Sequence, residues 1–546
     1  MSQQTPNNIH QDDKDLEINH VEAIDHSQGG IGAVDAKYIS HAQDDAANLL
    51  REVGPVEYTI EDDRRVLRKL DIWVCLPMFI VYTLVHLDKN ALSYAAVFNL
   101  KAEAHLVGKQ YSWLGSIVYL VQLVVQPLSA YALVRFPMSW WVVGNVFCWG
   151  ICVCCMAATH NFGGLLATRA LMGGFEATIS PSFIAMTQMF WRRREQTYRN
   201  TAWLMSSSVA GFIGPILSYG IAHVKSGIKP WQGIFLFLGC ITLAFCPLIF
   251  WMMPNDIPSA KFLTPQEKVI AVERLRDNNT GTRTSSWKWD QVKEAVLDPK
   301  TWIWGLMLSC MAIPSSGIGT FGTLITKGFG FNSFDTILFQ MPPYVLTITF
   351  LLVGTWVMNK INLRFPIVAF FTLFPIAGAA ALLYVPRNKP HALLGAYYVI
   401  MLYTPLQPLV YSWANMNAAG TTKQRTVGAI LFIMQCAGNV AGPQVYLDDE
   451  APVYKTGLYT DMACWSLLFV LICTMALYLK YLNRRQAKKR ERMGRMSNIR
   501  DMSIMTLEQA AAYRRELAAA GEGDDVNAHA YDDLTDFQNP DFHYIL

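Results

Sequence analysis

Charged residues are scarce in this chain: Asp, Glu, Lys and Arg make up 16% of its 546 residues, against about 25% in soluble domains. The shortfall is uneven. Residues 1–69 and 484–546 are polar, whereas the stretch between them contains long runs with almost no charge. A surface with so few charges is not that of a soluble globular protein. The composition therefore argues against a soluble enzyme.

The signatures of soluble catalysis are also missing. The sequence has no phosphate-binding glycine loop, no His-Glu-x-x-His motif and no nucleophile elbow. All 11 cysteines fall in apolar runs. They predict small buried side chains rather than disulfides, although Cys152, Cys154 and Cys155 have the chemistry of soft-metal ligands. We expect no catalytic residue, no cofactor and no resident metal.

What the chain has instead is apolar length. Hydrophobic residues make up 52% of it, and many runs reach the ~20 residues that a helix needs to cross a bilayer. The runs lack the alternation of barrel strands, so helices are predicted. The fold class expected is an all-α polytopic membrane protein with twelve transmembrane helices in two six-helix bundles. The predicted spans are residues 71–96, 111–133, 138–158, 163–189, 201–224, 231–253, 300–323, 334–358, 365–385, 391–416, 426–447 and 460–482.

Polar stretches divide the chain into five predicted parts. These are an N-terminal tail at 1–69, a bundle at 70–253, a central loop at 254–299, a second bundle at 300–483 and a basic, then acidic, tail at 484–546. In the central loop, Thr264 and Pro265 are typical of the start of a short helix.

The distribution of basic residues predicts the orientation. Lys and Arg concentrate before the first span, in the central loop and after the last span. By the positive-inside rule, both termini and the central loop are cytosolic. We expect the basic C-terminal run to contact anionic lipid and not nucleic acid.

A weak internal repeat relates the two halves. The fifth span contains Gly211, Gly214 and Pro215, and the eleventh ends in Gly442 and Pro443. Small residues let helices approach closely, and proline lets them bend. Gly-Pro pairs are common in membrane helices, but matching positions in two halves favour a transporter whose site lies between the repeats.

Four charges interrupt the apolar runs of the first half. Asp88 and Lys89 lie in the first span, and Arg169 and Glu176 lie seven residues apart on one face of the fourth, with Gly173 between them. An ionisable group inside a membrane costs several kcal/mol, about 2.5–3.5 by insertion scales, so each is a functional candidate. The alternatives are ion pairs that lock helices together, or side chains that snorkel to the interface.

The functional interpretation assigns each charge a role. Lys89 and Arg169 bind an anionic substrate, Arg through a bidentate fork to a carboxylate. Asp88 and Glu176 take up protons, which changes the local charge and couples proton binding to anion binding.

We expect no comparable buried charge in the spans of the second half. Its candidates are neutral: Trp413 and Asn417 are four residues apart, share a helix face and are predicted to read the substrate's shape. Hydrogen bonds between helices are the alternative role for both.

These residues resemble a known family. Twelve spans with a central loop look like the major facilitator superfamily, and Arg169-x-x-x-Gly173-x-x-Glu176 is similar to the fourth span of its anion:cation symporters. Asp88-Lys89 stands where many members have Asp-Arg. The resemblance implies that these four charged positions bind the anion and the coupling proton.

Further motifs resemble the fungal allantoate permease clade. They are Gln110-Tyr111-Ser112-Trp113, Phe190-Trp191, Phe262-Leu263-Thr264, Gly442-Pro443-Gln444 and, in the C-terminal tail, Asp533-Leu534-Thr535-Asp536-Phe537-Gln538-Asn539-Pro540. The resemblance implies import of a small carboxylate-bearing nutrient, such as allantoate, ureidosuccinate, nicotinate or pantothenate.

The resulting hypothesis is a proton-coupled importer that works by alternating access. We expect it to act as a monomer in the lipid bilayer of the plasma membrane, with a small organic anion and protons as its partners. One alternative is an exporter of a metabolite or drug with the same fold. A more remote one is a nutrient sensor of transporter ancestry.

Overall fold

The structure is a computed structural model, and it describes residues 59–191, 193–224, 227–276, 288–361, 364–494, 534–540 and 542–546. Most of the predicted N-terminal tail and much of the predicted C-terminal tail lie outside the described residues. Within the described residues, the regular elements are all helices.

The first half contains eleven helices in the described ranges. They are α1 (Ile60–Leu70), α2 (Leu76–Val97), α3 (Leu100–Glu103), α4 (Gln110–Arg135), α5 (Met138–Ala158), α6 (Phe162–Glu176), α7 (Ile179–Phe190), α8 (Arg193–Leu204), α9 (Ser206–Ala222), α10 (Pro230–Met252) and, in the central loop, α11 (Pro265–Arg276).

The second half contributes the remaining described helices. They are α12 (Trp289–Leu297), α13 (Pro299–Lys327), α14 (Ser333–Leu338), α15 (Pro342–Ile361), α16 (Phe365–Tyr384), α17 (Pro390–Met401), α18 (Leu406–Met416), α19 (Thr421–Ala441) and α20 (Lys455–Arg492). A 3₁₀ turn, Gly442–Val445, follows α19.

The prediction of a polytopic helical bundle is confirmed. Ten stretches among the described residues are long and apolar enough to cross a membrane, and α9 is a shorter apolar helix. The remaining predicted span, the fourth, is present as α6 and α7, which Ala177 and Thr178 separate. The described residues therefore account for all twelve predicted spans.

Helix bounds differ from the predicted spans where polar residues continue a helix. A π-helical segment, Asp71–Cys75, joins α1 to α2, so one continuous helical stretch begins at Ile60, before the predicted first span. The last helix runs to Arg492, beyond the predicted end at residue 482. Apolar length measures the thickness of the membrane core, and a helix does not have to end where that core ends.

The central loop has one helix for each half. As predicted, α11 follows Thr264, whose Oγ1 accepts a hydrogen bond from the Glu267 backbone amide at 3.3 Å. It is tied to the first half: Lys69 pairs with Glu267 at 2.7 Å, and buried Arg274 pairs with Asp63 at 2.8 Å. The second loop helix, α12, was not predicted, and it packs against α19 of the second half.

The two bundles meet at the ends of their helices that lie away from the termini. Ser93 Oγ of α2 lies 2.7 Å from Thr323 Oγ1 of α13. The Tyr111 hydroxyl of α4 donates to the Thr320 carbonyl of α13 at 2.8 Å. Beyond them, Lys101 of α3 pairs with Asp448 at 2.7 Å. This outer seam closes one end of the space between the bundles.

Candidate functional site

An ion pair lies inside the first bundle. Lys89 Nζ of α2 is 2.5 Å from Glu176 Oε1 at the end of α6. The Lys89 side chain is 25% exposed and that of Glu176 only 4%, so the lysine is the accessible member. The ring of Tyr119 on α4 lies 5.6 Å from Lys89 Nζ. The structure thus joins two of the predicted charges and adds an aromatic neighbour that the sequence patterns did not identify.

Arg169 lies on the same helix as Glu176 and is 4% exposed. Its Nε donates to the Leu114 carbonyl of α4 at 2.8 Å, which fixes the guanidinium against α4. Its Nη1 is buried and, among the described residues, has no hydrogen-bond partner. A buried guanidinium nitrogen without a partner is costly unless something else binds it. The arrangement leaves Arg169 with capacity to hold an anion.

Asp88 faces a different neighbourhood from Lys89. It is 1% exposed and lies beside Trp149 of α5 and Thr242 of α10. Both neighbours face the Asp88 carboxylate as hydrogen-bond donors, Trp149 through its indole N–H and Thr242 through its hydroxyl. Arg169 lies within electrostatic range of Asp88. The predicted acid is therefore buried between helices, behind the Lys89–Glu176 pair.

Gly173 allows α4 to approach α6. A Cβ atom at this position would lie 2.6 Å from the Val118 carbonyl oxygen, so any side chain would force the helices apart. Leu114 and Tyr119, which contact Arg169 and face Lys89, are on the same helix as Val118. Close packing at Gly173 therefore holds α4, with Leu114 and Tyr119, beside Arg169 and Lys89.

The glycines of the fifth span lie where it contacts two other helices, one in each bundle. A Cβ at Gly211 would lie 2.2 Å from the Tyr344 ring of the second bundle, and one at Gly214 would lie 3.1 Å from Tyr94 of α2. Pro215 is buried within α9. The fifth span thus packs against both bundles.

The Gly-Pro residues of the eleventh span lie between α19 and its neighbours. A Cβ at Gly442 would lie 2.3 Å from the Ile313 carbonyl oxygen of α13. Pro443 is buried and lies against Gly115 of α4, in the first bundle. Gly442 therefore allows close packing within the second bundle, whereas Pro443 belongs to the outer seam.

Trp413 and Asn417 share a face, as their spacing predicts, but their partner is the end of the chain. Trp413 Nε1 donates to the Ile545 carbonyl at 2.7 Å, and the Asn417 amide hydrogen-bonds both the amide and the carbonyl of Ile545. Asn417 is also next to Lys300 at the start of α13. The structure does not bring either residue to the Lys89–Glu176 pair, and we leave both out of the proposed site.

The expectation that the second half holds no buried charge in its spans is wrong. Asp461 of α20 is fully buried and accepts a hydrogen bond from the Tyr446 hydroxyl at 2.6 Å. Lys423 of α19 is buried as well. Both lie close to predicted span ends, where a charge is easily taken for an interfacial one. The apolar run that follows Asp461 was the signal available for it, whereas Lys423 lies in a polar stretch, residues 421–426, that gave none.

Comparison with protein families gives one match of long extent. A family model described as the Major Facilitator Superfamily matches residues 78–443.

Curated relatives are fungal transporters. An uncharacterised transporter of Schizosaccharomyces pombe is 32% identical over 489 residues, covering 89% of this chain and 88% of the relative. The allantoate permease of Saccharomyces cerevisiae is 28% identical and covers 93% and 91%. The high-affinity nicotinic acid transporter of the same yeast is 26% identical and covers 84% and 86%.

Solved structures share the fold at low identity. A bacterial homologue of the human lysosomal transporter Spinster, in an inward-facing and occupied conformation, has a TM-score of 0.56 at 13% identity, covering 74% of this chain and 95% of that one. The xylose transporter XylE from E. coli, in a partially occluded inward open conformation, has a TM-score of 0.55 at 12% identity, covering 74% and 97%.

Proposed function

This chain belongs to the major facilitator superfamily, and from that premise we propose that it is a proton-coupled importer of a small organic anion. Transport by alternating access needs a site between two bundles and a change in which end of that site is open. The closed outer seam supports this proposal, because alternating access requires one end of the site to close while the other opens. The positive-inside rule places this seam on the side opposite the cytosolic termini.

The observation that carries the proposal is the Lys89–Glu176 pair beside the unpartnered Nη1 of Arg169. Two cations and one acid in a low-dielectric site form a proton-dependent anion receptor. With Glu176 ionised, Lys89 is neutralised by its partner. With Glu176 protonated, Lys89 is released and an anion gains a second cation beside Arg169.

A transport cycle follows from this exchange of partners. A proton reaches Glu176 from the outside, the anion binds to Lys89 and Arg169, and the bundles rock to the inward-facing state. Loss of the proton to the cytosol restores the Lys89–Glu176 pair, which displaces the anion. Asp88, buried behind the pair, supplies a second protonatable group whose charge acts on Arg169.

The substrate class proposed is a small carboxylate-bearing nutrient. Two relatives are named for allantoate and nicotinic acid, and both compounds carry a carboxylate. Arg169 suits this group because a guanidinium binds a carboxylate through two parallel hydrogen bonds. Ureidosuccinate and pantothenate belong to the same class. We place the protein in the plasma membrane, as a monomer with both termini in the cytosol.

Uptake of radiolabelled allantoate and nicotinate into proteoliposomes tests the anion site. We expect uptake to require an inward proton gradient and to fall by on the order of 100-fold in Arg169→Ala, because two charge-assisted hydrogen bonds are lost. The matched control is Arg65→Ala, whose side chain is exposed. Unaltered uptake in Arg169→Ala would remove the anion-site proposal. Net efflux of the same solutes from intact cells would favour the exporter.

A further inference from the structure

The C-terminal segment 534–546, of which residues 534–540 and 542–546 are described, docks on the second bundle; we call it the C-terminal strap. Thr535, Asp536 and Tyr544 are fully buried, and Ile545 is nearly so. Side chains are buried to this extent only where a surrounding surface excludes water from them, so the strap is packed into the second bundle.

A buried cluster of charges holds the strap. Asp536 bridges two lysines: its Oδ1 lies 2.7 Å from Lys423 Nζ of α19, and its Oδ2 contacts Lys300 Nζ of α13. Asp298 also contacts both lysines, at 3.0 Å and 3.4 Å. The Phe537 ring covers the cluster, with its centroid 4.2 Å from Lys423 Nζ and 4.8 Å from Lys300 Nζ. Both lysines are therefore shielded from water by the strap.

Side-chain amides bind the backbone of the strap. Asn483 of α20 both donates to the Tyr544 carbonyl and accepts from its amide, each at 2.8 Å. Asn417 makes the same pair of bonds with Ile545, at 3.1 Å and 2.9 Å. Trp413 adds a second donor to the Ile545 carbonyl. These paired bonds fix the register of the segment on its receptor.

The helices that the strap joins are the ones that form the outer seam. At the end of α13 that lies away from the strap, Thr323 contacts Ser93 of α2. At the same end of α19, the Val440 carbonyl accepts a hydrogen bond from Ser116 of α4. Along their middle, α13 and α19 are closely packed, since a Cβ at Gly438 would lie 2.9 Å from the Ser309 carbonyl oxygen. The strap thus adds a contact at the end of this helix pair that lies opposite the outer seam.

The charge cluster explains why that end needs a counterion. Lys300 and Lys423 lie in the first turns of their helices, where the helix dipole disfavours a cation. Both are buried, and Asp536 contacts each of them directly. Without Asp536, Lys423 would keep Glu294 at 2.9 Å and Asp298 at 3.0 Å, whereas Lys300 would keep Asp298, at 3.4 Å, as its one carboxylate partner among the described residues. The buried Lys300 would then draw in water, and the ends of α13 and α19 would separate.

We propose that the C-terminal strap clamps α13 and α19 into one rigid unit and that transport requires the strap to be docked. Because the two helices then move as one body, a movement at the end that the strap holds also displaces their other end, which forms the outer seam. This inference rests on the proposed function only in its use of uptake as a readout, and strap release is measured without any substrate.

Replacement of Asp536 tests the strap in the full-length chain. Ile545→Cys is introduced as a reporter, and maleimide labelling at position 545 is quantified by mass spectrometry in detergent. We expect Asp536→Asn to raise the labelling rate at least tenfold. Glu491→Gln, which removes an exposed carboxylate near the end of α20, is the matched control and should leave labelling unchanged.

The same variants are then assayed for proton-driven allantoate and nicotinate uptake. We expect Asp536→Asn to lower Vmax at least fivefold with KM within twofold of the parent, since the anion site is untouched. Unchanged labelling, faster labelling with unchanged uptake, or faster uptake would each overturn the proposal.

If neither solute is taken up by the parent, the proposed substrate class fails while the labelling result still decides whether Asp536 holds the strap. Where Asp536→Asn is not monodisperse, Tyr544→Phe, which removes a 2.9 Å hydrogen bond to Asp536, replaces it, with a threefold rise in labelling expected.

Discussion

Glu176 is the residue on which proton coupling depends in the proposed cycle. Glutamine keeps its size but takes up no proton and forms no ion pair with Lys89. We expect Glu176→Gln to retain substrate exchange, because Lys89 and Arg169 still bind the anion, and to lose accumulation driven by a proton gradient. Counterflow and gradient-driven uptake in the same proteoliposomes separate the two activities. Glu103→Gln, which breaks a partly exposed 2.7 Å pair with Lys229, is the control, and accumulation retained in Glu176→Gln would remove this residue from coupling.

Single charges were readable from the sequence because a charge within an apolar run is conspicuous. Their partners were not. Asp88 and Lys89 are adjacent, but successive residues point about 100° apart around a helix, so Lys89 meets Glu176 while Asp88 faces Trp149. Helix spacing predicted that Trp413 and Asn417 share a face. It could not predict that Ile545, more than a hundred residues later in the sequence, packs against that face.

At the scale of elements, the contact between α4 and α6 is the one most sensitive to side-chain size. A Cβ at Gly173 would lie 2.6 Å from a backbone oxygen of α4, whereas one at Gly174 would lie 3.6 Å from the nearest Val121 carbon. We expect Gly173→Ala to be destabilising by ~1–3 kcal/mol through overpacking and to reduce uptake at least tenfold. Gly174→Ala is the control and should be neutral. Thermal unfolding in detergent and uptake report the two effects, and equal behaviour of the variants would contradict the packing role.

The length of the apolar runs predicted that the helices exist, but it did not predict the residues at which they begin and end. Capping chemistry identified the start of α11 at Thr264, because a side-chain oxygen followed by proline is a local signal. No such signal marks the passage from α1 to α2, where a polar amphipathic helix continues into an apolar one. The break between α6 and α7 was also unpredicted, since Ala177 and Thr178 are compatible with a continuous helix.

At the scale of the whole molecule, the strap's response to pH follows from Asp536. Burial alone would raise the pKa of this carboxyl, but Lys300 and Lys423 lower it below its ordinary value of 3.8. A lowered pKa in the docked state means that docking is fully stabilised above pH 3.8 and weakens only as the pH falls through the lower, docked value. We expect the labelling rate at position 545, divided by that of a free thiol such as glutathione at the same pH, to be constant from pH 5 to pH 8, because the thiolate fraction rises with pH in both. A transition within that range would contradict the assigned charge state.

Sequence patterns could not predict which ends of the two bundles meet, because the contacts are made by small polar groups. Ser93 and Thr323, for example, place their oxygens 2.7 Å apart.

If the outer seam must open in every cycle, a disulfide across it will stop transport. We expect Ser93→Cys with Thr323→Cys, in a background without native cysteines, to lose uptake on oxidation and regain it with reductant. The pair Ser129→Cys with Thr178→Cys, whose oxygens lie 2.8 Å apart within the first bundle, is the control and should transport when oxidised. Undiminished uptake by the cross-linked seam would mean that these two bundles do not separate there, and alternating access between them would have to be abandoned.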